Sequence, residues 1–114
     1  MMKRLTMAGL ALMAVASVAL TMRPATAQEA QLEISLKDHK FEPAELKAPA
    51  NKPIAVKVKN LSAENMEFES EPLQLETVVK ANAEGIVKIK PQKPGRYTFF
   101  DDFHEATKGT LVVE

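Results

Sequence analysis

The chain has 114 residues, with 15 Lys or Arg against 15 Asp or Glu, and it contains no Cys. Without Cys, thiolate-bound copper, disulfide exchange and Cys nucleophiles are excluded. The length supports one small domain, and the balanced charge without a basic cluster argues against nucleic acid as a partner.

The chain opens with an export signal. Lys3 and Arg4 precede an apolar run from Leu5 to Leu20, and Ala25-Thr26-Ala27 supplies an A-x-A cleavage site. The run is short for a membrane span, so cleavage is expected after Ala27, with no membrane insertion afterwards. The expected division is therefore a signal peptide over 1–27 and one domain over 28–114. The leader carries Lys3, Arg4 and Arg23 and no acid, so the exported part keeps 12 bases against 15 acids, a net charge of −3. Five of the six Met residues leave with the leader, and Met66 is the one that stays.

From there, alternation with period two dominates, the mark of half-buried strands. Leu32-Glu33-Ile34-Ser35-Leu36 reads as the first strand, and Ile54, Val56 and Val58 mark another. Met66 and Phe68 alternate with Glu67 and Glu69, Leu75 to Val79 is a further element, and Ile86-Val87-Lys88-Ile89 follows. The aromatic segment around Tyr97 and Phe99 and the run Thr110-Leu111-Val112-Val113 complete the series. Turn residues separate them at Asn51-Lys52-Pro53, Asn60-Leu61-Ser62, Asn82-Ala83-Glu84-Gly85 and Lys93-Pro94-Gly95. Short strands so punctuated read as an all-β, antiparallel sandwich or barrel. Glu105 to Lys108 has room for one helical turn at most.

Parity constrains the side chains near the C-terminus. Tyr97, Phe99 and Asp101 share one strand face, while Thr98, Phe100 and Asp102 share the other. If the aromatic pair faces the core, Asp101 points into the sandwich, where a carboxylate without a partner is costly or stays protonated, and a metal or a Lys would remove that cost. Glu67 and Glu69 share the face opposite Met66 and Phe68, and they reach Asp102 at the rim more readily than Asp101.

The run from Gly95 to Val113 resembles the metal-binding loop of cupredoxins, Gly-x-Tyr-x-Phe-x-Cys-x-x-His, then Met, then Gly-x-Leu-Val-Val. Asp38-His39-Lys40-Phe41-Glu42-Pro43 with Leu46, Lys52-Pro53-Ile54, Val58-Lys59-Asn60 and Lys93-Pro94-Gly95-x-Tyr97 resemble other segments of that family in order and spacing. The resemblance implies a cupredoxin-like Greek-key β-sandwich. The ligand places depart from the copper pattern. Met66-Glu67-Phe68-Glu69 stands where the first His is expected, Asp101 takes the Cys place, Thr107 takes the axial Met place, and His104 alone is kept.

Glu67-Phe68-Glu69-Ser70 together with Phe99-Phe100-Asp101-Asp102-Phe103-His104 resembles the small periplasmic cupredoxin-like components of bacterial ferrous-iron uptake systems. That likeness implies a periplasmic protein that binds iron, with an oxidation or delivery role beside a membrane iron permease and a periplasmic iron-binding protein. Carboxylate oxygen with one or two imidazoles suits iron, manganese or zinc better than Cu(I). The candidate metal residues are His104, Glu67, Glu69, Asp101, Asp102 and Met66. Each has a plain structural alternative: a turn cap for Asp101 and Asp102, the solvated face of an edge strand for Glu67 and Glu69, core packing for Met66, and a hydrogen-bonded loop residue for His104. His39 reads as structural or as a peripheral metal contact. The rival functions are a copper or other divalent-metal carrier using Met66 and His104, and a metal-free interaction domain.

Overall fold

The computed structural model describes residues 28–114, so the expected signal peptide lies outside the described residues. Nine strands run in chain order: β1 (Ala30–Lys37), β2 (Lys40–Glu42), β3 (Glu45–Ala48), β4 (Ile54–Asn60), β5 (Met66–Ser70), β6 (Leu75–Val79), β7 (Glu84–Ile89), β8 (Gly95–Asp101) and β9 (His104–Val113). They form a four-stranded sheet, β2-β1-β4-β7, and a five-stranded sheet, β3-β9-β8-β5-β6. The chain passes repeatedly between the sheets, which gives the sandwich its Greek-key character. Among the described residues, no helix is long and apolar enough to cross a membrane.

Two pairings depart from the antiparallel expectation. β1 runs parallel to β4, and β3 runs parallel to β9. In each pair the second strand arrives by a crossover rather than a hairpin, and that geometry forces the parallel sense.

The alternating apolar residues meet between the sheets. Ile34, Ile54, Val56, Val58, Met66, Phe68, Phe99 and Leu111 are all buried to within 1% exposure. Phe68 stacks on Phe99 at 4.8 Å between ring centroids, and Phe41 meets Phe99 edge-on at 5.1 Å. Gly109 lies opposite Phe99 because the ring fills its side-chain space: a Cβ there would come within 2.4 Å of the ring. Met66, the candidate soft ligand, is part of this core and fully buried.

The segment resembling a metal-binding loop is closed up. β8 and β9 are joined through Asp102 and Phe103, with Asp101 paired to His104. The register jumps from Phe100↔Lys108 to Asp101↔His104, so Glu105, Ala106 and Thr107 bulge from β9. The single helical turn allowed for Glu105 to Lys108 is therefore strand with a bulge. Close by, with the His39 ring 4.4 Å from that of His104, β1 turns into β2 through Asp38 and His39, both with positive φ, 50° and 58°. Two such residues in a two-residue hairpin match a tight turn whose twist suits the flanking strands.

Candidate metal centre

Glu67 and Glu69 project from β5 on the outer face of the five-stranded sheet. β5 lies between β8 and β6 and is not an edge strand, which corrects the solvated-edge alternative. Asp102 enters from the β8–β9 turn, and one carboxylate oxygen from each of Glu67, Glu69 and Asp102 lies within 4.8 Å of the others. Glu76 on β6 adds a fourth acid directly opposite Glu69. None of the ion pairs among the described residues includes any of these four.

The backbone explains the convergence. Asp101 is 1% exposed, and its Oδ1 accepts the amide protons of Glu67 at 3.0 Å and Phe103 at 3.1 Å. The Asp102 amide in turn donates to the Glu67 carbonyl at 3.0 Å. Asp101 thus caps the turn and fastens it to the start of β5, setting Asp102 beside Glu67. Its burial is offset by backbone donors, so neither a metal nor a Lys is needed to explain it.

Hydrogen bonding, burial and like charges all raise the carboxyls here. Glu67 is only 7% exposed. Its carboxyl is pushed up to about 7, first by a hydrogen bond with Glu76, then by burial, then by the charges of Glu76, Asp102 and Glu69. Glu69 is also raised, through burial first and then the charge and hydrogen bond of Asp102. Crowded carboxylates of this kind offer a cation a site where it replaces protons and relieves repulsion. A groove lined by Glu69, Glu71, Glu76 and Phe100 opens beside them.

His104 belongs to a different neighbourhood. Its Nε2 lies 2.7 Å from Glu64 Oε2, and its ring lies 4.4 Å from that of His39. Thr107, in the axial-ligand place, is buried, and its hydroxyl donates to the His39 carbonyl at 2.7 Å. Of the six candidates, the structure brings together Glu67, Glu69 and Asp102. Asp101 sits beneath the turn, Met66 in the core and His104 against Glu64 and His39. Sequence reading missed Glu64 and Glu76. Cross-strand register would have found Glu76, whereas nothing in the local pattern singles out Glu64.

A two-sheet Greek-key sandwich with a β8–β9 turn at one rim defines the class of cupredoxin folds. The chain belongs to the cupredoxin-like domain family, whose model matches residues 9–113. It is 34% identical over 84 residues to an uncharacterized protein of Rickettsia prowazekii (strain Madrid E), covering 73% of this chain and 67% of that one. Among solved structures, it is similar to the metal-binding domain of the Cu(I)-exporting P-type ATPase CopA of Streptococcus pneumoniae D39 (TM-score 0.66, 16% identity, 76% of this chain and 96% of that one). It is also similar to auracyanin A, a blue copper protein of Chloroflexus aurantiacus (TM-score 0.64, 16% identity, 76% of this chain and 100% of that one).

The residues here do not fit a thiolate copper centre. There is no Cys, and Asp101 in its place is engaged by two backbone amides. Thr107 is tied to a carbonyl and Met66 lies in the core.

Proposed function

We propose that this protein is a periplasmic accessory of ferrous-iron uptake that takes iron as cargo on Glu67, Glu69 and Asp102. The observation that carries the reading is three carboxylate oxygens within 4.8 Å, with no ion pair to them among the described residues and with Glu67 pushed up to about 7. Hard oxygen donors favour iron over Cu(I), and anionic oxygen favours Fe(III) over Fe(II). Such a site holds iron as an oxygen-ligated ion and binds the ferric form more tightly than the ferrous for transfer. The likeness to iron-uptake components supplies the partners, a membrane iron permease and a periplasmic iron-binding protein. The export signal supplies the compartment. The copper alternative through Met66 and His104 has weaker support, because Met66 is packed in the core.

Anaerobic Fe(II) titration of the purified protein tests this, with Glu67→Gln/Glu69→Gln beside it. Saturable binding by the wild type and at least tenfold weaker binding by the double variant are expected. Equal binding by both, or none by the wild type, refutes it.

A further inference from the structure

We propose that His39, Glu64 and His104 form a second metal site, separate from the outer-face carboxylates and suited to a borderline divalent ion such as Zn(II) or Cu(II). The inference goes beyond the iron reading and stands or falls independently of it. Two imidazoles and one carboxylate are the donors these ions prefer, whereas iron cargo is assigned here to an all-oxygen group.

The donors come from three separate segments, each with its backbone held. His39 lies in the β1–β2 turn, whose carbonyl Thr107 grips from β9 at 2.7 Å. Glu64 lies in the loop before β5, and its carbonyl accepts from Asn60 Nδ2 at 2.7 Å and Ser62 Oγ at 2.9 Å. Asn60 is fully buried, and its amide group also binds the Val79 and Lys80 carbonyls, so this loop is anchored to the body of the sandwich. His104 begins β9 opposite Asp101. Backbones fixed in this way leave only side-chain rotation to complete a site.

The three donors do not converge as they stand, since among the described residues only Glu67, Glu69 and Asp102 hold one ligand atom each within 4.8 Å of the others; an ion would draw Glu64 and the His39 ring together by side-chain rotation. Metal–ligand bonds of about 2.1 Å at a tetrahedral centre set the nitrogen and oxygen roughly 3.4 Å apart. His104 Nε2 and Glu64 Oε2 are now 2.7 Å apart, and the Glu64 side chain is 64% exposed and free to swing. Two imidazoles on one ion place their ring centroids about 4.5–5.2 Å apart, against 4.4 Å here. A cleft lined by Lys37, Asp38, His39, Leu61 and Glu64 gives solvent access to the His39 and Glu64 side of the site. His39 occupies a left-handed turn position at φ 58°, which His adopts more readily than most residues other than Gly, Asn and Asp.

The test is Zn(II) titration of the Glu67→Gln/Glu69→Gln protein, followed by NMR of the two histidine rings. One equivalent is expected to shift both rings together to saturation. His39→Asn, which keeps a residue tolerant of positive φ, and His104→Gln are each expected to weaken Zn(II) binding at least tenfold. Cu(II) is expected to give an electron paramagnetic resonance spectrum with two nitrogen couplings, reduced to one in His39→Asn. If the His39 ring does not respond to Zn(II), or His39→Asn binds as the parent does, the His104–Glu64 contact is an ion pair only and the proposal is overturned. The ring shifts need no histidine substitution, so a variant that fails to fold does not protect the idea. Loss of Fe(II) binding in the double variant with the ring response intact would separate the two sites.

Discussion

Replacing Asp101 with Ala removes the acceptor of two amide protons in a place water does not reach. The Glu67 and Phe103 amides each lose a bond to Oδ1, of 3.0 and 3.1 Å, beside a residue that is 1% exposed. A hydrogen bond to a charged group contributes about 1.5–3 kcal/mol, and the two share one oxygen, so a combined loss of about 3 kcal/mol is expected. A domain of this size has only about 4–13 kcal/mol of stability, and its melting temperature should fall by about 12–24 °C. Asp101→Asn keeps an Oδ1 acceptor and should lose about half as much. Urea and thermal unfolding of both variants measure the difference. A loss below about 1 kcal/mol for Asp101→Ala would refute the account of Asp101 as the tie between turn and β5. So would an Asp101→Asn protein that keeps its stability but no longer binds Fe(II), because Asp101 would then be a ligand.

The raised Glu67 pKa predicts a pH effect. Between about 4.5 and about 7 the folded state holds more protons than the unfolded one, so stability falls as pH rises through that window and the deficit persists above it. Urea unfolding at several pH values should show Glu67→Gln gaining on the wild type across that window, and a constant gap would refute it. Gly109→Ala should destabilise by about 2–3 kcal/mol in thermal unfolding, because its Cβ would overlap the Phe99 ring, which the surrounding core leaves little room to move.

The strands most legible in the sequence are those with strong alternation. Ile54, Val56 and Val58 fall in β4 and are buried as the period requires. Parity also placed Asp101 inside and grouped Glu67 and Glu69 with Asp102, because side-chain direction on a strand follows from counting alone. What escaped was whatever depends on pairing between distant segments. β2 and β3 are too short to show a period. The parallel senses of β1–β4 and β3–β9 depend on crossovers, and the bulge at Glu105, Ala106 and Thr107 depends on the register of β8 against β9. The meeting of His39 with His104 is of the same kind, since 65 positions separate them in the chain and only the docking of the β1–β2 turn on β9 unites them.

The acidic face itself argues for a cation. Glu69 and Glu76 are direct cross-strand partners, and like charges in that relation destabilise a sheet. Selection for stability alone would favour a Thr or Lys at either place. An ion held by Glu67, Glu69 and Asp102 reverses the sign of the effect, because it binds the folded state and raises stability with its concentration. Protons compete for the same oxygens, so the rise should be larger at pH 7.5 than at pH 5. Thermal unfolding with and without Mn(II), an air-stable stand-in for Fe(II), reads this directly. A stabilisation equal at both pH values, or one that survives Glu67→Gln/Glu69→Gln, would place the ion elsewhere and leave the acidic face without a cation.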